Sequence, residues 1–592
     1  MSTRNAFALI CLAWVALLFL VDPRGDFALN DDWAFAATTR QFVLAGAYQP
    51  HDWTSNPLIA HVMWGAGFCR LFGCGHEVLR ASSLVAACLG LLALYLIAKR
   101  CGLRKAAVWM SVATLALSPL YLPLAHTYMT DVSFTAALLG SVYFFVSHLR
   151  KQRPIDWMLG TAFLLLATLS RQPGLAVAIG YGVARCLPNK ATPALGRLRF
   201  VQATLPLVMA ATCLATYETW LAASGRAPAL YYMKYLDVQR VLSAPLAAVT
   251  PALLTLNAIV LTLGLLAMPL ILMRCAQARL ASRHRGLTDI GAWPWLPALL
   301  LTAGAWLHAR SFGALPIMPI LGNVMDAGGV GPVLLGAFDG RYASPWPLPE
   351  LLWFAATAIA YFGALSLLWA LQKQVIVLWA RAAQRRGTGW NFGAYAQVQT
   401  LLAVTCVAYV LPLLATRTFD RYLIPVVPLV GLLVSAPRHL ARGPYRVRAK
   451  PRKSSLMAYG AMVLLAAYSI TTAHDYLAWN RARSKAVDVA QRCFGARPEA
   501  IDAGFEYNAP QLSNHDLLVT SGSGNWWTKS HVDYVVTGKR IRELHLLASV
   551  EWRSWIFFRD EYIYLQTSKN NSIELLMREQ PIEACRGGIA AK

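Results

Sequence analysis

Acidic residues are scarce in this sequence of 592 residues, which contains 29 Asp and Glu against 54 Lys and Arg. Charged residues of both signs make up only 14% of the chain, whereas hydrophobic residues make up 57%. Soluble globular proteins of ordinary composition carry considerably more charge than this. The composition therefore argues against a soluble protein and indicates a membrane protein.

Several motifs that would identify common chemistries are also absent. No Walker A loop occurs and no Gly-x-Gly-x-x-Gly segment opens a helix, which argues against ATP-driven transport and dinucleotide binding. The sequence contains neither His-Glu-x-x-His nor Gly-x-Ser-x-Gly, which are typical of zinc peptidases and serine hydrolases. Internal repeats and low-complexity tracts are missing as well. Any chemistry must therefore come from residues outside these motifs.

Long apolar runs dominate the chain up to about residue 473. Runs of about 17–25 apolar residues are typical of membrane-spanning helices. The fold class that they predict is an all-α polytopic membrane protein with about thirteen transmembrane helices. The predicted spans are roughly 6–22, 77–98, 106–123, 132–149, 155–170, 173–187, 200–217, 246–273, 294–309, 351–371, 395–415, 422–436 and 455–473.

Basic residues collect in alternate loops between these spans. The basic loops follow residues 98, 149, 184, 273, 372 and 437, and their only acids are Asp156 and Asp289. Cytoplasmic loops carry an excess of Lys and Arg, so thirteen spans place the N-terminus in the cytoplasm and the C-terminal segment outside. The net charge of +25 is then a signal of topology, and no nucleic-acid partner is expected. Because no Ala-x-Ala pattern closes the first apolar run, we interpret it as a retained span.

The chain divides into two predicted domains. Residues 1–473 form a transmembrane domain with long outer loops at 23–76, 218–245 and 310–350, and residues 474–592 form a small α+β extracytoplasmic domain. A helix is predicted over 473–491, followed by strand-like runs at 533–537, 554–558 and 561–565, which are rich in β-branched and aromatic residues. Two cysteine pairs lie on the outer side, Cys69 with Cys74 and Cys493 with Cys585, and an oxidising compartment would permit disulfides there.

Three acids at one membrane face are the candidate catalytic residues. Asp31 and Asp32 follow the first span, and Asp131 opens another span. Ionisable groups at span ends that face a cavity are candidate functional sites. One first-loop Asp would act as a general base, and the other would position or cap the helix, because adjacent helical residues do not share a face. The alternative interpretation is that these acids, or Thr130, are only helix N-caps.

Arginines on the same face are candidate ligands of a donor phosphate. Arg421 lies in a segment that enters an outer helix, and Arg171 lies between two spans. Arginine binds phosphate through paired hydrogen bonds. Snorkelling, or for Arg421 an ion pair with Asp420, is the alternative. Neighbours of the charged residues complete the candidate site, Tyr422 for the donor phosphate and Trp33, His126 and Tyr128 for substrate.

A metal ion is a further candidate component. Outer-side histidines could bind a divalent metal together with Asp31 or Asp131, but no i,i+4 pair supports such a site, and hydrogen-bonded or interfacial histidines are favoured. No cofactor is assigned, and a divalent metal ion stays an alternative. These histidines are His51, His61, His76, His126 and His308.

In the order and topology of these motifs, the chain resembles the GT-C superfamily of polytopic glycosyltransferases. Within it, the chain is similar to the bacterial branch related to protein O-mannosyltransferases and the lipid A aminoarabinose transferase. Asp31-Asp32, Thr130-Asp131 and the segment Asp420 to Pro428 carry the resemblance. The family's usual first-loop pair is Asp-Glu, so the Asp-Asp pair leaves open which member is the base.

The resemblance implies transfer of a sugar from a polyprenyl-phosphate carrier to an acceptor hydroxyl, with inversion. The acceptor would be a lipid, a glycan or a protein, and the enzyme would lie in a bacterial cytoplasmic membrane. Metal dependence varies in the superfamily, so no metal follows from the resemblance. Two alternatives remain open: a transporter or flippase of lipid-linked sugars, which would carry charges near the bilayer midplane, and a transferase of the O-antigen-ligase type.

Overall fold

The membrane part is built from helices. The computed structural model describes residues 2–187, 196–282, 295–315, 321–326, 329–330, 350–383, 393–435, 453–512, 527, 529 and 532–568. The helices before residue 188 are α1 (Thr3–Val21), α2 (Asp32–Ala45), α3 (Ile59–Phe72), α4 (His76–Arg100), α5 (Lys105–Ala116), α6 (Tyr121–Ala125), α7 (Thr130–Lys151), α8 (Pro154–Ser170), the 3₁₀ turn η1 (Gln172–Gly174) and α9 (Leu175–Cys186).

The later helices continue the bundle and lead into the C-terminal unit. They are α10 (Arg197–Ala223), α11 (Met233–Ser243), α12 (Pro245–Leu266), α13 (Met268–Ser282), α14 (Trp295–Phe312), α15 (Glu350–Ala383), α16 (Ala394–Leu413), the 3₁₀ turn η2 (Asp420–Leu423), α17 (Val426–Ser435), α18 (Lys453–Phe494), the 3₁₀ turn η3 (Pro498–Ala500) and α19 (Phe505–Leu512).

Eight described helices are long and apolar enough to cross a membrane. They overlap the predicted spans that begin at residues 6, 77, 132, 200, 246, 351, 395 and 455, so the polytopic membrane class is confirmed. Shorter apolar helices lie at Lys105–Ala116, Pro154–Ser170 and Val426–Ser435. The total of thirteen spans is not confirmed by these helices.

Two predicted spans are interrupted. The run 106–123 breaks after Ala116, with Pro119 in the gap before the separate helix α6. The run 246–273 divides at Ala267 into α12 and α13, with Pro269 near the start of α13. Proline lacks the backbone N–H that a continuous helix needs, which accounts for a break at each place.

The first outer loop forms two helices that lie between α1 and α4. The predicted amphipathic run at 34–45 corresponds to α2, and the apolar stretch at 58–72 corresponds to α3. Gly46 ends α2 with a φ of 67°, a left-handed conformation that glycine adopts without strain. A disulfide joins Cys69 to Cys74 between α3 and α4. Cys585 lies outside the described residues, so its predicted pairing with Cys493 stays a prediction.

The C-terminal unit contains a four-stranded sheet packed on α18. Its strands are β3 (Ile501–Asp502), β4 (Tyr534–Thr537), β5 (His545–Ser554) and β6 (Arg559–Thr567), in the order β3-β4-β6-β5. Strand β3 pairs parallel with β4, and the other neighbours are antiparallel. A separate antiparallel pair, β1 (Met325–Asp326) and β2 (Gly329–Val330), lies in the outer loop at 310–350, which is otherwise largely outside the described residues.

The sequence placed two of the three strand-like runs correctly. The runs at 533–537 and 561–565 match β4 and β6, but the prediction of a strand at 554–558 is wrong. Ser554 ends β5, and residues 555–558 form the turn to β6, where Phe558 has a φ of 53°. The carboxylate of Asp475 accepts hydrogen bonds from the N–H groups of Trp555 and Ile556, which holds this turn against α18.

The predicted boundary at 473/474 falls inside a continuous helix. Helix α18 runs from Lys453 to Phe494, so the last predicted span and the predicted helix over 473–491 are one element. A separate apolar core, including Ala486, Val536 and Ile563, fills the C-terminal unit. An aromatic cluster joins this unit to the first outer loop, with Trp33 packed against Phe505.

Candidate active site

The carboxylate of Asp31 pairs with the guanidinium of Arg421. Asp31 directly precedes α2, and Arg421 lies in η2, so the pair joins the first outer loop to a segment close to the last helices. Both terminal nitrogens of Arg421 donate to Asp31 Oδ2 at 3.2 Å. The indole N–H of Trp53 donates to Asp31 Oδ1 at 2.8 Å. The Asp31 side chain nevertheless remains 17% exposed.

Asp32 has a different environment from its neighbour. Its side chain is 2% exposed and accepts hydrogen bonds from the backbone N–H groups of Leu29, at 2.8 Å, and Tyr128, at 3.1 Å. Burial raises the pKa of Asp32 to about 7, although these two hydrogen bonds oppose the shift. Asp32 therefore ties the start of α2 to the segment that leads into α7.

The capping alternative is not supported at any of these acids. Asp31 occupies the N-cap position of α2 but makes no side-chain capping hydrogen bond. The N-cap residue of α7 is Met129, so neither Thr130 nor Asp131 caps that helix. The three acids are instead engaged in tertiary contacts.

Asp131 and Arg171 form a second, more deeply buried ion pair. Arg171 Nη1 donates to Asp131 Oδ1, and the two side chains are 5% and 2% exposed. Arg171 ends α8, and Asp131 lies in the first turn of α7. The pair therefore fixes the outer ends of these two adjacent helices to each other.

Tyr422 lies between the two arginines. Its ring centroid is 4.7 Å from the guanidinium carbon of Arg171 and 5.7 Å from that of Arg421. Burial opposes the charge of Arg421, but Asp31, Tyr422 and Asp131 together raise its pKa. The structure thus brings Asp31, Asp131, Arg171, Arg421 and Tyr422 into one buried cluster.

Asp420 does not pair with the guanidinium of Arg421. Its carboxylate accepts hydrogen bonds from the backbone N–H groups of Val324, Met325 and Arg421. Asp420 therefore holds η2 against the short strand β1. This role, like the contact of Trp53 with Asp31, was missed from the sequence, and only the adjacency of Asp420 and Arg421 hinted at it.

The three predicted substrate-binding residues are buried near this cluster. The Tyr128 hydroxyl donates to the carbonyl of His61 and lies 3.0 Å from the Thr39 hydroxyl. His126 Nδ1 lies 2.7 Å from the carbonyl oxygen of Leu122. Trp33 packs edge-on against His51, with ring centroids 4.9 Å apart. Tyr128 and His126 therefore contribute to the packing around the charged residues, while Trp33 lines a separate cavity.

Four of the five candidate histidines make ring hydrogen bonds of the kind favoured from the sequence, whereas Nδ1 of His76 has no hydrogen-bond partner among the described residues and lies 3.9 Å from Asp32 Oδ1. His61 Nδ1 lies 2.7 Å from the Ser133 hydroxyl, and His308 Nδ1 lies 2.9 Å from the carbonyl of Ala314. His51 Nδ1 accepts from the backbone N–H of Trp53. Among the described residues, no group of three or more His, Cys, Asp or Glu side chains is arranged to hold a metal ion.

An apolar groove of about 420 Å³ reaches the same end of the bundle. Phe7, Leu96 and Phe144 contribute to its apolar walls. Ser133 and Ser170 also line it, and these residues lie close in sequence to Asp131 and Arg171. The groove therefore connects the membrane-embedded surface of the bundle with the neighbourhood of the second ion pair.

Comparison with known proteins supports a glycosyltransferase. Residues 54–216 match the model of the dolichyl-phosphate-mannose-protein mannosyltransferase family. This segment includes Asp131 and Arg171 but neither the first-loop acids nor Arg421. No curated protein matches the chain in sequence.

Solved structures of three glycosyltransferases are also similar. ArnT from Cupriavidus metallidurans bound to undecaprenyl phosphate has 12% identity and a TM-score of 0.36, with 96% of this chain and 99% of that chain covered. Archaeal oligosaccharyltransferase AglB from Archaeoglobus fulgidus has 11% identity, a TM-score of 0.35, and coverage of 82% and 58%. Arabinosyltransferase EmbB from Mycobacterium smegmatis has 13% identity, a TM-score of 0.31, and coverage of 82% and 43%.

These TM-scores are too low to carry an argument about the fold, and the family model matches residues 54–216 only. Over residues 54–216 this chain resembles the dolichyl-phosphate-mannose-protein mannosyltransferases, which confirms the resemblance to GT-C glycosyltransferases seen in its sequence.

Proposed function

We propose that this membrane protein transfers a sugar from a polyprenyl-phosphate donor to an acceptor hydroxyl at the extracytoplasmic face, with inversion at the anomeric carbon. The enzyme would lie in a bacterial cytoplasmic membrane, with its N-terminus in the cytoplasm and residues 474–592 outside. Its acceptor would be a lipid, a glycan or a protein.

The contact between Asp31 and Arg421 is the observation that carries this proposal. A sugar transferase of this type needs a base for the acceptor and a cation for the leaving phosphate. The two side chains are 3.2 Å apart, so one bound substrate pair can contact both. Arg171 lies across the ring of Tyr422 and provides a second cation for the same phosphate.

We assign the base to Asp31 and a positioning role to Asp32. A general base must reach the proton that it accepts. Asp31 is partly exposed, whereas Asp32 is almost completely buried and accepts hydrogen bonds from two backbone N–H groups. Asp131 then acts as the partner that holds Arg171 in position.

In the proposed reaction, the acceptor oxygen forms a bond to the anomeric carbon while its proton passes to Asp31. The bond between the anomeric carbon and the phosphate oxygen breaks, and its electron pair leaves with the polyprenyl phosphate. Arg421 and Arg171 stabilise the negative charge that grows on that oxygen. Such stabilisation is usually the largest contribution to catalysis.

A lipid-linked donor fits the position of the site and the shape of the bundle. Soluble nucleotide sugars are confined to the cytoplasm, so a donor on the other face would arrive on a lipid. The apolar groove that ends near Ser133 and Ser170 offers a surface for a polyprenyl chain. The name of the matching family also includes dolichyl-phosphate-mannose, a sugar donor of this lipid-phosphate class.

Transfer of labelled sugar from polyprenyl-phosphate donors to membrane acceptors tests the proposal. Wild type is compared with Asp31→Asn, Asp32→Asn and Asp131→Asn at matched expression. Asp31→Asn should lower the rate by roughly 10²–10⁴, the usual contribution of a general base, with unchanged folding. Asp52→Asn is a control for the loss of an outer-loop carboxylate that does not contact the cluster.

Equal transfer in all these variants would refute the assignment of the acids. If wild type transfers no sugar although the donor is present, the flippase becomes the better hypothesis. Transfer only from a diphosphate-linked donor would favour the O-antigen-ligase type.

A further inference from the structure

The C-terminal unit reaches the candidate active site through the start of α19. Glu506 lies in the first turn of this helix, and its side chain is 1% exposed. One carboxylate oxygen accepts from Nη1 of Arg483 on α18 at 2.6 Å, and the other accepts from the backbone N–H of Asn30 at 3.4 Å. Asn30 directly precedes Asp31. A buried side chain of the C-terminal unit therefore contacts the peptide that leads into the proposed base.

The backbone before Asp31 has a conformation that tertiary contacts must hold. Asn30 has a φ of 57°, in the left-handed region that few residues other than glycine adopt, although asparagine tolerates it better than most. The N–H of Leu29 donates to Asp32 at 2.8 Å, and the N–H of Asn30 donates to Glu506. Such conformations persist only where the surrounding structure fixes them. Two buried carboxylates thus hold the two consecutive peptide groups that precede Asp31.

A second path from α19 to Asp31 runs through aromatic side chains. Phe505 is 4% exposed, and its ring centroid lies 6.2 Å from that of Trp53 and 6.4 Å from that of Trp33. Trp53 donates its indole N–H to Oδ1 of Asp31 at 2.8 Å. A hydrogen bond weakens steeply as the donor turns away from the acceptor. Phe505 therefore supports the ring whose N–H orients the carboxylate of Asp31.

Hydrogen bonds tie the start of α19 to the sheet of the C-terminal unit. Asp502 of β3 is 1% exposed and accepts from the backbone N–H of Gly504 at 3.2 Å and from the side-chain amide of Asn508 at 2.5 Å. The amide oxygen of Asn508 accepts in turn from the backbone N–H of Ala503 at 3.2 Å. Catalytic geometry requires supporting residues that are themselves held in place. The first turn of α19 meets this requirement.

We propose that Glu506 and Phe505 are positioning residues for Asp31, so that the C-terminal unit completes the active site. Glu506 fixes the peptide before Asp31, and Phe505 fixes the ring of Trp53 that orients its carboxylate. This inference rests on the proposed function, in which Asp31 is the base. A misplacement of about 1 Å can cost about 10²-fold in rate, so these two contacts affect the transfer rate although neither side chain touches a reacting atom.

Steady-state transfer from the polyprenyl-phosphate donor, measured with the full-length protein in detergent, tests this inference. Glu506→Gln and Phe505→Leu should each lower kcat about 10- to 100-fold and leave the KM of the donor nearly unchanged, because the base acts in the chemical step. Arg481 of α18 donates to the carbonyl of Asp22, the residue that precedes the first outer loop. Arg481→Gln is therefore the matched control, since it removes another contact between the same two parts of the chain, and it should keep the wild-type kcat.

Double variants separate positioning from a general loss of stability. In an Asp31→Asn background, Glu506→Gln and Phe505→Leu should lower the residual rate much less than they do in wild type, because both act through Asp31. A merely structural role would instead reduce the active fraction by the same factor in both backgrounds. Trp53→Phe removes the indole N–H itself, so Phe505→Leu should add little to its effect.

Wild-type kcat in Glu506→Gln and Phe505→Leu, or equal fold losses in the two backgrounds, would overturn this inference and leave the proposed function standing. Phe505→Leu keeps the buried ion pair of Glu506 with Arg483, so it decides the question even where Glu506→Gln fails to fold. Size-exclusion profiles and apparent Tm values identify such a failure. Absence of transfer by wild type, with the donor confirmed present, would overturn the proposed function itself.

Discussion

The guanidinium of Arg421 lies 3.2 Å from the carboxylate of Asp31, although the two residues are 390 positions apart. This contact neutralises the charge of Asp31. A donor phosphate would compete with Asp31 for the same guanidinium. Donor binding would therefore free the carboxylate of Asp31 to accept the proton of the acceptor. The guanidinium of Arg421 would in this way couple donor binding to activation of the acceptor.

Arg421→Gln should weaken donor binding and lower the transfer rate. Loss of a single preorganised group that stabilises developing charge typically costs about 10²–10³ in rate. Arg421→Lys keeps the charge but loses the forked geometry, so it should recover only part of the activity. Transfer rates measured over a range of donor concentrations separate the change in KM from the change in kcat.

Arg417→Gln is the matched control for that measurement. Arg417 is exposed and lies four residues before Arg421, with its guanidinium carbon 5.4 Å from the centroid of the Phe419 ring. Its substitution should leave transfer unchanged. Equal effects at the two positions would show that general positive charge, and not the contact with Asp31, matters here.

The pair of Asp131 and Arg171 should behave as a unit in stability measurements. Removal of one partner from a buried ion pair leaves an uncompensated charge and typically costs about 3–5 kcal/mol. Asp131→Asn and Arg171→Gln should therefore each lower the apparent Tm in detergent. The double variant should be less destabilised than the sum of the two, whereas additive effects would argue against direct coupling.

The helices followed from the sequence more readily than the site. A run of apolar residues fixes a spanning helix by local composition, which explains why α4, α7 and α16 lie where they were expected. The contact of Asp31 with Arg421 depends on where α2 and η2 lie in the tertiary structure, and no local pattern encodes that geometry. The continuity of α18 was missed because the composition changes near residue 474, which suggested a boundary. No helix-breaking proline lies there, so the helix continues through the change.

The structure also separated residues that looked equivalent in the sequence. Asp31 and Asp32 are adjacent and chemically identical, yet one is paired with Arg421 and the other is buried against backbone N–H groups. The difference arises from the first turn of α2, which directs neighbouring side chains to different sides. Likewise, Asp420 was considered as a partner for the side chain of Arg421, but it binds backbone groups instead.

Stability should fall as the pH rises towards neutrality. Burial raises the pKa of Asp32 and of Asp420 to about 7, against hydrogen bonds that lower it. The unfolded chain releases these protons near pH 4, at the ordinary pKa of Asp. The folded state thus binds more protons between about pH 4 and pH 7, so this stabilisation is complete below pH 4 and is lost as pH rises through 7.

Apparent Tm values in detergent at pH 5.5 and pH 8 test this pH dependence. The contribution of Asp32 and Asp420 should make wild type more stable at pH 5.5 than at pH 8. Asp420→Asn should show a smaller difference between the two pH values, because asparagine does not titrate. An unchanged difference would mean that other groups determine the pH dependence.

The disulfide between Cys69 and Cys74 should stabilise the connection between α3 and α4. Arg40 Nε donates to the carbonyl of Cys74 at 2.8 Å, so the closed turn holds the side chain of Arg40. Closing a loop this short is worth about 2 kcal/mol in the chain-entropy model. Cys69→Ser/Cys74→Ser should therefore lower the apparent Tm, while Cys186→Ser, at an exposed free cysteine, should leave it unchanged.

The same cysteines report on membrane topology. Disulfides form in oxidising compartments and are rare in the bacterial cytoplasm. Thiol trapping in intact cells followed by mass spectrometry should find Cys69 and Cys74 oxidised. Free thiols at both positions would contradict the assignment of residues 23–76 to the outer face.

Asp475 should hold the turn of the β5–β6 hairpin against α18. Its carboxylate accepts hydrogen bonds from the Ser554 hydroxyl at 2.7 Å and from the backbone N–H groups of Trp555 and Ile556 at 2.7 Å and 3.1 Å. Hydrogen bonds to a charged group contribute about 1.5–3 kcal/mol each. Asp475→Ala should therefore raise amide hydrogen exchange in β5 and β6 more than Ser554→Ala, which removes one donor to Asp475 and the acceptor of the Phe557 N–H.

Amide hydrogen exchange also distinguishes a local effect on the hairpin from a general loss of stability. Asp488 is an exposed acid on the same helix, so Asp488→Ala should leave the hairpin protected. Asp475 hydrogen-bonds Ser554 and the turn but not β4, so exchange in β4 should change less than exchange in the hairpin. If β4 and the hairpin lost protection together in Asp475→Ala, the sheet would open as one unit. If only the hairpin lost protection, the hydrogen bonds from Asp475 on α18 would be what holds the turn at 555–558 in place.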